Sequence, residues 1–172
     1  DSAGGPLAQG GGSLVHLAKI IPPSIPFALP VRVLCDVDNP VVGPKGAAAV
    51  FGPQKGADQV SVRQLETGLE RLCSVMSETF GAHQRKMPYG GAAGGLGAGL
   101  AGVLGATLGS GFDAIYDRLA IGAYLRDSSL ILTGEGQIDH QTGSGKTVAG
   151  VMRKAAEAGR PVWAFAGRVT QA

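Results

Sequence analysis

The chain reads as an α/β protein on three observations. Val31 to Asp38 is a β-branched run bounded by proline and by Asn39-Pro40, the composition of a strand that ends in a turn. From about Asp58 to Phe80, Val62, Leu65, Leu69, Leu72, Cys73, Met76 and Phe80 recur at helical spacing, with Arg63, Glu66, Glu70 and Arg71 mainly on other faces. Towards the C-terminal end a strand, a loop, a helix and a second strand follow one another, which is the parallel βαβ pattern.

Taken in order, the first thirty residues are punctuated by Gly10-Gly11-Gly12, Pro22-Pro23, Pro26 and Pro30. Within them only Leu14 to Ile21 suggests one or two helical turns. A small-residue segment, Gly46 to Phe51, follows the first strand and closes at Gly52-Pro53. The long helix has two candidate starts: Ser61 and Gln64 stand at capping-box spacing, and Asp58 could cap an earlier one. A glycine loop, Gly90 to Gly99, then leads into a helix centred on Leu100 to Leu104. The βαβ unit is expected as a strand over Ser128 to Thr133, a loop from Gly134 to about Ser144, a helix from Gly145 to Ala158, and a strand from Pro161 to Ala166.

Composition narrows the class. Glycine supplies 29 of the 172 residues, with no three-residue period, so collagen is excluded. A hydrophobic fraction of 44% with 16% charged residues excludes a disordered chain. The net charge of +2 is too small to argue for nucleic acid. Gly90 to Phe112 carries no charge over a length that could span a bilayer, but ten of its 23 residues are glycine. Its large apolar residues Leu96, Leu100, Val103, Leu104, Leu108 and Phe112 form a stripe rather than an all-round surface, so no membrane association is expected. Two cysteines, Cys35 and Cys73, suit buried thiols in a reducing compartment, and the expected location is the cytoplasm. The chain opens Asp1-Ser2-Ala3, without a signal peptide pattern or an initiator methionine, and is expected to be a piece of a longer protein.

Polar clusters at strand ends are the candidates for chemistry, because ligands of parallel sheets sit beyond the carboxyl ends of strands. Asp36 and Asp38, two apart on a strand, can present carboxylates to one face. They would suit a hydrated magnesium ion, or they are turn residues pairing with Lys45. Lys45 and Lys55 each lie in a glycine-proline loop, where backbone amides could join the ammonium group around an anion. Gly91, Gly94, Gly95 and Gly97 open a helix, and amides at such an opening bind phosphate or carboxylate, although close helix packing explains glycine equally well. No strand precedes this loop, so it is not a dinucleotide fingerprint.

Gly143-Ser144-Gly145-Lys146-Thr147 imitates the end of a phosphate-binding P-loop. That motif needs glycine at position 140, which is His140, so an ordinary P-loop NTPase is rejected. Glu135, Asp139 and Lys146 still place two carboxylates and an ammonium group in one segment.

Together these segments resemble the class I glycerate kinase family. The resemblance rests on Cys35-Asp36-Val37-Asp38-Asn39-Pro40 continuing to Gly43-Pro44-Lys45-Gly46-Ala47-Ala48-Ala49-Val50-Phe51-Gly52-Pro53-Gln54-Lys55-Gly56-Ala57. It continues through Gly91-Ala92-Ala93-Gly94-Gly95-Leu96-Gly97, Thr133-Gly134-Glu135-Gly136-Gln137-Ile138-Asp139, Gln141-Thr142 and Gly145-Lys146. Order and separation match from about Leu14 to Gly167.

The resemblance implies a glycerate kinase type of α/β fold: mostly a smaller inserted mixed α/β domain, residues 1–127, plus a βαβ piece of a flavodoxin-like domain, residues 128–172. It implies ATP-dependent phosphorylation of glycerate to phosphoglycerate, with ATP and Mg2+ as cofactors and a small-molecule substrate. The expected catalytic residues are Asp36, Asp38, Glu135, Asp139 and Lys146, with Asp36 and Asp38 also as metal ligands. Asn39, Lys45, Lys55, Gly91, Gly94, Gly95, Gly97 and Thr142 are expected to bind substrate or phosphate, and the polar loops are expected to face one cleft. The family's N-terminal lysine motif and its C-terminal part are absent. The rival expectation is accordingly an anion-binding domain or truncated remnant without turnover.

Overall fold

The computed structural model describes residues 1–25, 27–81, 83–138 and 147–169. It is a mixed α/β structure whose contacts divide into two compact units, Asp1–Leu108 and Gly109–Ala172. Among the described residues no helix is long and apolar enough to cross a membrane.

In the first unit a 3-10 helix, Gly11–His16, precedes strand β1 (Arg32–Cys35), helix α1 (Ala47–Phe51), a 3-10 turn (Pro53–Lys55), helix α2 (Gln59–Phe80) and helix α3 (Ala92–Leu104). Strand β2 (Thr107–Ser110) pairs with β1 in a two-stranded sheet. Of the two candidate starts for α2, the structure takes the earlier: the Asp58 carboxylate accepts the Ser61 amide at 2.7 Å. Gly81, at φ 69°, ends the helix in the left-handed conformation.

The buried face of α2 contributes Leu69 and Cys73 to a core with Val41, Ala47, Ala48 and Ala98. Leu14 and Leu65 pack against that core, and Gly68 lets the N-terminal 3-10 helix approach, since a Cβ there would lie 2.9 Å from the Leu14 Cβ. Arg71 fastens the following segment, its Nε donating to the Leu17 carbonyl at 2.7 Å.

The second unit holds helices α4 (Gly111–Arg118) and α5 (Ile121–Asp127), strand β3 (Ile131–Ile138), helix α6 (Thr147–Glu157) and strand β4 (Val162–Val169). β3 and β4 pair in parallel, with Ile131 beside Val162 and Glu135 beside Ala166. Leu125, Ile131 and Ala155 form the core, and Tyr116, Ile121, Val151 and Val162 pack on it. Gly150 gives the Phe112 ring its place, because a Cβ there would fall 2.5 Å from the ring.

Three expectations about element limits are corrected. β1 stops at Cys35, so Asp36 and Asp38 lie beyond the strand and its alternation does not set their directions. The backbone there leaves the ladder to receive amides from another loop. β3 runs on to Ile138, so Gly134 to Ile138 is strand and not loop. Its extension depends on β4 continuing to Val169, which offers partners for Glu135 and Gln137. The apolar stripe of Gly90 to Phe112 is not one helix: α3 ends at Gly105, at φ 64°, while Leu108 lies in β2 and Phe112 in α4.

Candidate functional site

The centre of the first unit's polar surface is a junction between two loops. Beyond β1 the Asp38 carbonyl accepts the Tyr89 amide at 3.1 Å, and the Asn39 carbonyl accepts the Gly91 amide at 2.9 Å. This approach demands glycine at 91, where a Cβ would lie 2.2 Å from the Pro40 carbonyl oxygen. Gly97 is required for the same reason, its Cβ position being 2.7 Å from the Tyr89 carbonyl oxygen. Tyr89 itself sits at φ 67°, an uncommon conformation for a residue with a side chain.

Two amide-rich segments turn out to be occupied from within. Gly91 gives its N–H to Asn39, while Gly94 and Gly95 give theirs to the Gly91 carbonyl at 3.2 and 3.3 Å. Ala93, Gly94 and Gly95 all have positive φ, so the opening of α3 is a left-handed turn and not a regular helix start. In this structure the amides of Gly91, Gly94 and Gly95 thus meet internal carbonyls.

The loop carrying Lys45 is closed in a similar way. Gly46 donates to Gly43 at 2.8 Å, Ala47 to Val41 at 3.1 Å, and the Asn39 Nδ2 to the Lys45 carbonyl at 2.8 Å. The Gly43 amide goes to Glu66 of α2 at 2.5 Å.

What remains available is side-chain charge. A cleft of about 710 Å³ is lined by Asp38, Val42, Lys45, Lys86, Pro88 and Tyr89 among others, within the range of small-molecule sites. Among the described residues Asp36, Asp38, Lys45 and Lys86 have no ion pair or side-chain hydrogen bond, so the reading of Asp36 and Asp38 as turn residues paired with Lys45 is not met. Lys86 and Tyr89 escaped the sequence reading. They precede the glycine loop in a segment without periodicity, and only the Asp38–Tyr89 junction carries them to the cleft.

Lys55 does not join Lys45. It lines a separate cleft of about 230 Å³ with Leu14, Phe51, Leu65 and Gly94. Gly97 is buried and Asn39 half-buried, acting through its contact with the Lys45 carbonyl. In the second unit Glu135 lies on β3 beside Ala166, with Oε1 buried and unpartnered among the described residues. Asp139, Thr142 and Lys146 lie outside the described residues, as do His140 and the P-loop imitation through Lys146.

No three His, Cys, Asp or Glu side chains converge as a metal cage among the described residues. Two exposed, unpaired carboxylates at the end of β1 fit an ion that keeps most of its water and its phosphate ligands, as magnesium does.

The profile of the glycerate kinase family matches residues 1–172. A glycerate kinase of Halalkalibacterium halodurans is 42% identical over 172 residues, covering 98% of this chain and 45% of the relative. A glycerate 2-kinase of Escherichia coli is 38% identical over 174 residues, covering 99% of this chain and 45% of the relative. The crystal structure of a protein assigned as glycerate kinase 2 from Salmonella typhimurium LT2 superposes with a TM-score of 0.74 at 38% identity, covering 99% of this chain and 49% of that one. The fold is thus a mixed α/β fold shared with that crystal structure. The chain belongs to the glycerate kinase family, and it spans about 45% of the length of the curated relatives it matches.

Proposed function

We propose that this chain contributes to ATP-dependent phosphorylation of glycerate. The observation that carries the reading is the cleft in which Asp38, Lys45, Lys86 and Tyr89 meet, built from segments that match the family. Phosphoryl transfer asks the protein for positioning and charge neutralisation more than for covalent chemistry. Lys45 and Lys86 neutralise the substrate carboxylate or a phosphate. Asp38 is the carboxylate on the same cleft that orients a hydroxyl.

Magnesium, bound with ATP, supplies neutralisation of phosphate oxygens, and Asp36 with Asp38, or Glu135 with Asp139, would hold it. The proposal also takes Lys146 as a catalytic residue and Asn39, Lys55, Gly97 and Thr142 as residues that bind substrate or phosphate. The division into an inserted domain over residues 1–127 and part of a flavodoxin-like domain over 128–172 is part of this proposal. So is a cytoplasmic location without nucleic-acid or membrane partners.

The second reading is an anion-binding domain or truncated remnant without turnover. A coupled glycerate assay beside calorimetry with ATP and Mg2+ separates the two. Turnover by the 172-residue chain defeats the second reading; binding without turnover defeats the first for this chain. In a protein of the relatives' full length that carries this chain, Asp139→Asn and Lys146→Ala should each lower kcat/KM at least about tenfold, roughly 1.4 kcal/mol. Near-normal turnover in both would sink the site assignment.

A further inference from the structure

The loop that presents Lys45 is fastened at three points by its own residues and by Asn39: Val41 to Ala47, Gly43 to Gly46, and Lys45 to Asn39. A fourth anchor comes from another element. Glu66, in the second turn of α2, accepts the Gly43 N–H through Oε1 at 2.5 Å. Gly43 has φ 98°, in the left-handed region that favours glycine, and its amide donates to Glu66 and to no carbonyl of the loop. Removing Glu66 would leave that amide without an acceptor among the described residues.

The choice of a carboxylate here is chemically demanding. Glu66 is half-buried, and its Oε2 is shut away from solvent with no partner among the described residues. Burying a charged oxygen without a hydrogen bond opposes folding. Packing alone would be served better by an apolar residue, and what this side chain supplies is the acceptor oxygen for the Gly43 amide. The Gly43 amide is taken by Glu66, which is not among the residues that line the cleft, and the charged donors on that cleft are the ammonium groups of Lys45 and Lys86.

We propose that Glu66 is a positioning residue, holding the Lys45 loop through Gly43 and directing an anionic substrate to Lys45. This rests on the reading of the Asp38–Lys45 cleft as the substrate site, and the test separates the two. Amide exchange of residues 42–46 is measured by NMR in the 172-residue chain and in Glu66→Gln, Glu66→Asp and Glu66→Ala, with D-glycerate titrated into each.

Exchange at Gly43 should accelerate at least about tenfold in Glu66→Ala and stay near the parent value in Glu66→Gln, which keeps an acceptor oxygen. Glu66→Asp, which keeps the charge on a shorter side chain, should accelerate exchange too, and it carries the test if Glu66→Ala fails to fold. Glycerate affinity should fall about threefold or more with the loss of protection and return in Glu66→Gln.

Unchanged Gly43 exchange in Glu66→Ala and Glu66→Asp overturns the proposal. So does Glu66→Gln exchanging as fast as Glu66→Ala, because an acceptor oxygen at the same reach would then not hold the amide. Faster exchange with unchanged glycerate affinity overturns the directing role. If exchange follows the expectation but no variant, the parent included, binds glycerate, Glu66 still holds the loop and the substrate reading fails.

Discussion

The Gly91 amide meets the Asn39 carbonyl at 2.9 Å, so close that a Cβ on Gly91 would stand 2.2 Å from the Pro40 carbonyl oxygen. A pair of backbones in such contact has no room to give. Gly91→Ala must push the two loops apart, at a cost of about 1–3 kcal/mol for an overpacked buried site. Thermal unfolding should show the loss. Because Tyr89 and Lys86 reach the cleft through the same junction, anion affinity should fall with it. A variant with unchanged melting would mean the loops are not joined as described.

The ammonium groups give the second prediction. Lys45 and Lys86 line one cleft, whereas Lys55 lines another. Lys45→Ala and Lys86→Ala should each weaken binding of glycerate or ATP about five- to tenfold, roughly 1–1.4 kcal/mol. Lys55→Ala should weaken it less. Calorimetry on the three variants decides, and an equal loss from Lys55→Ala would return that residue to the same site.

A third prediction concerns acid stability in the second unit. Arg153 donates to the Asp113 carboxylate at 2.7 Å and lies 3.4 Å from Glu157. The Arg153 hydrogen bond holds the Asp113 carboxyl below its ordinary value of 3.8, with Ser110 assisting. A carboxyl depressed on folding stabilises the fold above its unfolded value, and that stabilisation is lost as pH falls through the lower folded value. The side chains are 48% and 37% exposed, so solvent screening leaves about 0.5 kcal/mol. Asp113→Asn should therefore lower stability at pH 7 slightly and flatten its decline below about pH 4. Urea unfolding at several pH values measures both effects.

Thiol chemistry supplies the fourth. Cys73 is 3% exposed on the inner face of α2, and burial pushes its thiol up from the usual value, against the lowering effect of Arg85. Thiolate, not thiol, attacks disulfide reagents. In the folded protein Cys73 should react with an aromatic disulfide at least about tenfold more slowly than in denaturant. Equal rates would show that the core packed against α2 does not cover it.

Local signals made part of this legible. The periodicity of Val62, Leu65, Leu69 and Cys73 specified α2 as far as Phe80, because it depends on residues within a turn or two of each other. The start of α2 was narrowed only to Asp58 or Ser61, since both residues can accept or offer a capping bond. The βαβ order was readable, but the length of β3 was not. Gly134 to Ile138 looks like loop until β4 supplies a parallel partner some thirty residues on.

The site divides along the same line. By itself the sequence determined the family and marked out the charged residues and glycine-rich loops from which a site could be built. Only tertiary structure decided which of those groups remain available. The amides of Gly91, Gly94 and Gly95 are spent on internal carbonyls, the Gly43 amide on Glu66, and Lys45 finds Lys86 rather than Lys55. A glycine's amide is free or taken according to what lies opposite it. Here the opposite residue, as for Gly91 and Asn39, can be some fifty positions away, beyond the reach of any local pattern.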